Sequence, residues 1–187
     1  MNAALWAMLH ACLIAFLALI MLNALWHKLA DFKRFAAVIP HYRGVPPALA
    51  TAVVIGVVSA ESVALAMLVL PMLSVFGAVL SGSLIFLYGM LIAVNVSLGN
   101  RQVDCGCGGK PQPLSWVLVV RNVALSGLAL LAVAAPFTPL SLMALLGSIA
   151  MGFVAWVLYC AIDLLMANAE RLRSSNAEVK ASSNQYS

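Results

Sequence analysis

Between two long apolar stretches the chain reads Asp104-Cys105-Gly106-Cys107-Gly108-Gly109. Half of the 4 cysteines therefore stand one glycine apart. A disulfide needs its Cβ atoms about 3.8 Å apart and a torsion near 90°. Cysteines separated by one residue meet this only in a tight ring, and Gly106 removes the Cβ that would obstruct it. Strained, accessible disulfides have more oxidising potentials and are the labile or catalytic ones. Arg101, Lys110 and Arg121 favour the thiolate, Asp104 opposes it, and the flanking glycines let another backbone come close. Thiol–disulfide exchange at Cys105 and Cys107 is the leading reading. Two alternatives stay open, a soft-metal clip for an ion such as Cu(I), which thiolates select, and an inert loop. Zinc fits less well, because it wants four ligands and only His27 or His41 could join the pair. No metal site is assigned.

The elements that must hold this pair are set by composition. The chain has 187 residues, 64% of them hydrophobic and 9% charged, with a mean hydropathy of +1.05. Soluble domains run near about 25% charged, so the expected fold is all-α, a polytopic membrane helical bundle. About 20 apolar residues cross the hydrocarbon core. Five segments qualify, Ala3–Trp26, Pro47–Leu70, Leu73–Leu98, Leu114–Ala135 and Pro139–Ala167. Each should be helical, since a bilayer offers no water to open backbone. The first segment has no basic residue before Lys28 and is too long for a cleaved leader. Thr138 and Pro139 read as the N-cap and first turn of the fifth span. The bundle thus occupies residues 1–167, with the cysteine loop at 99–113. A polar tail at 168–187 should lack structure.

Ten Lys and Arg residues stand against six Asp and Glu, a balance that speaks to orientation and anionic lipid rather than nucleic acid. All ten fall after spans one, three and five or just inside span four, and none falls on the other side. The positive-inside rule then puts the N-terminus outside, and the Cys105/Cys107 loop and the C-terminus in the cytoplasm. Residues 28–39 place Leu29, Phe32, Phe35 and Ile39 on one helical stripe, with Lys28, Asp31 and Arg34 away from it. A short helix in the headgroup plane is expected there.

Glu61 falls near the middle of span two, where a carboxylate is costly and normally partnered. Arg121 on span four is the expected partner, although at 1.5 Å per residue it lies about 10 Å into its span against about 21 Å for Glu61. Ser81, Tyr88 and Asn95 share a face of span three, as do Asn122 and Ser126 on span four. These stripes read as interhelical glue, and as a quinone site or proton path in the sharper alternative. Cys12 and Cys160 sit at opposite depths, roughly 20 Å apart, and read as small core residues. His10 and His27 lie near span ends and are expected at the interface, and Asp163 likewise.

His27-Lys28-Leu29-Ala30-Asp31-Phe32, Tyr42, Pro46-Pro47, Glu61, Tyr88, Asn95, the Asp104–Gly109 motif, Leu114-Ser115 and Arg121-Asn122 together resemble the methylamine utilisation protein MauE family, integral membrane relatives of the DoxX-like proteins. The resemblance covers roughly residues 27–122. It implies a part in maturing the disulfide-rich small (beta) subunit of methylamine dehydrogenase, alongside a thioredoxin-like MauD-type partner. Cys105 and Cys107 would be the exchanging dithiol, with Glu61 and Arg121 transferring protons or stabilising the thiolate. Membrane thiol oxidases that use quinone carry two cysteine pairs, and this chain has one. Either quinone binds beside that pair, or the pair is exposed to the two sides in turn, and the charge count favours the second.

Overall fold

A computed structural model describes residues 3–42, 45–100, 113–135 and 138–185. They form six α-helices: α1 (Ala3–Ala30), α2 (Phe32–Val38), α3 (Ala50–Val69), α4 (Ser74–Ser97), α5 (Trp116–Ala134) and α6 (Leu142–Gln185). Five segments are long and apolar enough to cross a membrane, Ala3–Ala30, Ala50–Val69, Pro71–Ser97, Trp116–Ala134 and Leu142–Ala169. A multi-pass, all-α membrane protein was legible from the apolar runs alone. The loop carrying Arg101, Asp104, Cys105, Cys107 and Lys110 lies outside the described residues.

The chain divides into two compact units, Met1–Phe153 and Val154–Ser187. In the first, α4 packs most extensively on α5, then α3 on α4 and α1 on α3. Water cannot drive helices together inside lipid, so close approach must. The α4–α5 seam is accordingly lined with small residues. A Cβ built on Gly82 would lie 2.8 Å from Ala129 Cβ, and one on Gly89 would lie 3.1 Å from Asn122 Cβ. Ser126 Oγ donates to Asn122 O on its own helix at 2.8 Å and lies 3.3 Å from Gly82 O across the seam. The start of α6 meets α1 the same way, with the Gly152 Cβ position 2.7 Å from Cys12 O. In the second unit α6 simply continues, with Val154, Leu158, Ile162 and Leu165 exposed.

The span boundaries differ from the sequence reading by a few residues at several places. The first span does not stop at Trp26 but runs to Ala30, because nothing in His27-Lys28-Leu29-Ala30 breaks a helix. The break comes at Asp31, whose Oδ1 accepts from Arg34 N at 3.3 Å and starts α2. At the fifth span the start is Leu142 rather than Pro139, with Ser141 Oγ 3.4 Å from Ala144 N. The helix then runs to Gln185, so the segment expected to lack structure is helical. No proline or glycine follows Gly152, and Ala, Glu, Arg, Leu and Lys in the tail are good helix formers.

Candidate functional site

Helix α1 buries His10, Leu13, Leu17, Met21, Leu25 and Lys28, a stripe of three- and four-residue steps that carries Lys28 inward. Lys28 is 4% exposed and Glu61 0%. Its Nζ donates to Glu61 Oε1, and Tyr88 on α4 donates to the same oxygen at 2.8 Å. Glu61 Oε2 is buried and has no hydrogen-bond partner among the described residues. The Phe35 and Tyr88 rings stand 5.5 and 5.2 Å from Nζ, close enough for cation–π attraction. A buried charge needs a counter-charge and hydrogen bonds to be tolerated at all. Lys28, Glu61 and Tyr88, from three helices, supply the counter-charge and two of the hydrogen bonds, and leave Glu61 Oε2 without a bond.

Two expectations are corrected here. The cation on Glu61 is Lys28, not Arg121, because the buried stripe of α1 extends one turn beyond its apolar run. Lys28 also does not face away from the Phe35–Ile39 stripe, since all three are buried while Leu29 and Phe32 are 54% and 42% exposed. The signal was present in the spacing. Lys28 is three residues after Leu25 and seven after Met21, so it belongs to the packed face although its charge suggests a loop.

Lys28, Phe35, Tyr42, Val57, Tyr88 and Ile92 are among the residues lining a partly open cavity of about 60 Å³. Tyr42 also joins a packed cluster with Ile92, Val96, Leu114 and Leu118. Both ends of the cysteine-bearing segment are fixed beside this cluster. At its start, Gly99 takes φ +77°, Gly99 N donates to Val96 O at 3.1 Å and Asn100 N to Asn95 O at 2.9 Å. That is a Schellman motif closing α4. Asn100 Nδ2 donates to His41 O at 3.0 Å and to Asn95 Oδ1 at 2.9 Å. At the far end, Leu114 is 2% exposed.

Tyr88 faces Glu61, and Asn95 is engaged by Leu91 O and Asn100. Asn122 packs at the Gly89 crossing. Arg121 is half-buried in the first turns of α5. Cys12 and Cys160 are free thiols, both half-buried.

His10, expected at the interface, is instead buried at 3% exposure. Its Nδ1–H donates to Ala132 O at 2.9 Å, and its Nε2 lies 3.4 Å from Ser74 Oγ, which donates to Pro71 O at 2.9 Å. The ring takes up one of the last carbonyls of α5 that the helix itself leaves open.

The family model for "Methylamine utilisation protein MauE" matches residues 5–135. Proteins named methylamine utilization protein MauE are similar over much of the chain. The one from Paracoccus denitrificans is 41% identical over 118 residues, 62% of this chain and 63% of that protein. The one from Methylorubrum extorquens is 37% identical over 128 residues, 65% and 69% of the two chains. The one from Methylophilus methylotrophus is 30% identical over 156 residues, 81% and 82%. The chain thus spans less than two thirds of the Paracoccus denitrificans relative that it matches. No solved structure matches significantly. With the family model covering residues 5–135 of 187, the chain belongs to the methylamine utilisation protein MauE family.

Proposed function

We propose that this chain serves methylamine utilisation as an integral membrane thiol–disulfide factor of the bacterial inner membrane. Cys105 and Cys107 exchange with a thioredoxin-like, MauD-type partner, and the end served is disulfide formation in the small subunit of methylamine dehydrogenase. In the step itself, one thiolate of the reduced pair attacks the partner's disulfide and forms a mixed disulfide. The second thiolate then attacks that bond and releases the partner as a dithiol. The pair becomes a disulfide, two electrons pass to the partner, and protons balance between the two dithiols. Disulfide formation requires the reverse direction, in which the Cys105–Cys107 disulfide is reduced as it takes two electrons from the partner's dithiol, through the same mixed disulfide.

The observation that carries this reading is the Cys-Gly-Cys spacing in a MauE family chain. It is supported by the anchoring of both flanks, at Asn100 and Leu114, beside one buried cluster. Such a frame fixes where the cysteine-bearing segment begins and ends, at Asn100 and Leu114. On the charge count that end is cytoplasmic, and the pair reaches the other side by alternating exposure. Glu61 and Arg121 are assigned supporting roles in proton transfer and thiolate stabilisation.

Alkylation of intact cells with a membrane-impermeant maleimide, before and after mild reduction, tests this. Reduction should release two further labelled thiols in the wild type and none in a Cys105→Ser, Cys107→Ser variant. Labelling should be slow in intact cells, where it waits on exposure to the outer side, and fast in permeabilised cells. Cys107→Ser should accumulate a mixed disulfide with the partner and stop maturation of the dehydrogenase. Full maturation with both cysteines changed to serine, or stoichiometric Cu(I) binding without any redox change, would overturn the reading.

A further inference from the structure

Burial leaves Lys28 short of acceptors. An ammonium carries three N–H donors, and among the described residues only Glu61 Oε1 accepts from it. The Phe35 and Tyr88 ring faces stabilise the charge, but they leave the remaining donors without a full hydrogen bond. Lys28 itself lines the cavity of about 60 Å³, whose other walls include Val53, Val57 and Ile92. Buried donors in native proteins nearly always find a partner. Here the missing partner has to sit in that cavity.

Its chemistry is constrained from three sides. Glu61 already balances the ammonium, so an anion gains no net charge attraction and a neutral acceptor fits best. Apolar and aromatic walls favour a group borne by an apolar molecule over one drawn from water. A water occupies about 30 Å³ of liquid, so the enclosed volume admits a carbonyl-sized end group. The cavity is only partly closed, which lets a longer molecule extend out of it.

We infer that this cavity binds the carbonyl oxygen of an apolar, bilayer-soluble molecule, with Lys28 Nζ donating to it and Phe35, Tyr42 and Tyr88 flanking it. Two constituents of a bilayer offer that group, the ring carbonyl of a quinone and the ester carbonyl of a glycerolipid. The inference rests on the Lys28 site alone and stands apart from the chemistry of the cysteine loop.

The test uses the full chain, purified in a detergent that has no carbonyl. A short-chain benzoquinone and a short-chain diacyl phosphatidylcholine, each with ¹³C-labelled carbonyls, are titrated separately and followed by infrared spectroscopy. At least one should bind saturably, with its labelled carbonyl stretch moving to lower frequency. The probe that binds names the source, and binding of both means that the site reads the carbonyl alone. Val57→Phe, which fills the cavity and leaves the ion pair intact, should weaken binding about tenfold or more, the scale of one lost hydrogen bond. Lys28→Met should also abolish the frequency shift. If neither probe saturates, or if Val57→Phe binds as the wild type does, water alone fills the cavity and the inference falls.

Discussion

Lys28, in the last turn of α1, and Glu61, in α3, form an ion pair that side-chain exposures of 4% and 0% place out of reach of solvent. The two residues are 33 positions apart, so the pair ties the end of one membrane span to the interior of the next. A buried pair is weak evidence of net stabilisation, yet losing one member strands the other.

That asymmetry gives the first prediction. Lys28→Met should destabilise the bundle by about 3–5 kcal/mol, because Glu61 is then an uncompensated buried charge. Glu61→Gln should cost less, since the amide oxygen still accepts from Lys28 and Tyr88. The double variant Lys28→Met, Glu61→Leu should recover most of the loss of Lys28→Met. Denaturant unfolding in micelles reads all three. A double variant no more stable than Lys28→Met would mean that the loss does not come from the stranded Glu61 carboxylate.

Tyr88→Phe isolates the second donor on Glu61 Oε1. The phenol–carboxylate bond of 2.8 Å is charge-assisted, and hydrogen bonds to charged groups contribute about 1.5–3 kcal/mol. The ring remains in place, so its cation–π contact with Lys28 should survive. Unfolding should therefore show a loss within that range and smaller than that of Lys28→Met. A neutral Tyr88→Phe would mean that Lys28 alone satisfies the carboxylate.

How far the sequence could carry these conclusions depended on the kind of signal. Span number and class followed from run length, because a hydrocarbon core fixes the apolar stretch it accepts. Helix ends were harder. Its charge places Lys28 on the polar side of a headgroup-plane helix although its spacing continues the Leu13–Leu25 stripe, and long lysine stems can bury when a carboxylate waits across the interface. The partner of Glu61 was beyond reach for another reason. Depth along separate spans can be estimated from rise per residue, but which helices adjoin is decided by small residues such as Gly82 and Gly89, which charge patterns do not reveal. His10 illustrates the same limit. A histidine near a span end reads as interfacial until the carbonyl of Ala132, over a hundred residues later, arrives beside it.

The α4–α5 seam makes a contrast between glycines testable. Gly82→Ala would put a methyl group 2.8 Å from Ala129 Cβ, and neither group has a torsion that could move it aside. The helices must part, at a cost of about 1–3 kcal/mol for overpacking. Gly127→Ala meets nothing within 4 Å and should gain up to about 1 kcal/mol from helix propensity. Thermal unfolding should move in opposite directions for the two variants. A rise for Gly82→Ala as well would show that the seam is not in close contact.

Gly99 holds φ +77°, a left-handed conformation that costs an L-residue about 1–2 kcal/mol. Gly99→Ala should therefore weaken the motif in which Asn100 N–H bonds to Asn95 O at 2.9 Å, while α4 itself stays formed. A cost of that size speeds local opening by about 5–30-fold. Hydrogen exchange in nanodiscs should show it at the Gly99 and Asn100 amides and not at Ile85, one of the buried residues in the interior of the same helix. If the loop borrows its geometry from this cap, the reduced cysteines of Gly99→Ala should also react with maleimide at a changed rate. Unaltered exchange at Asn100 would show that its side-chain bonds to His41 and Asn95 suffice to fix the start of the loop.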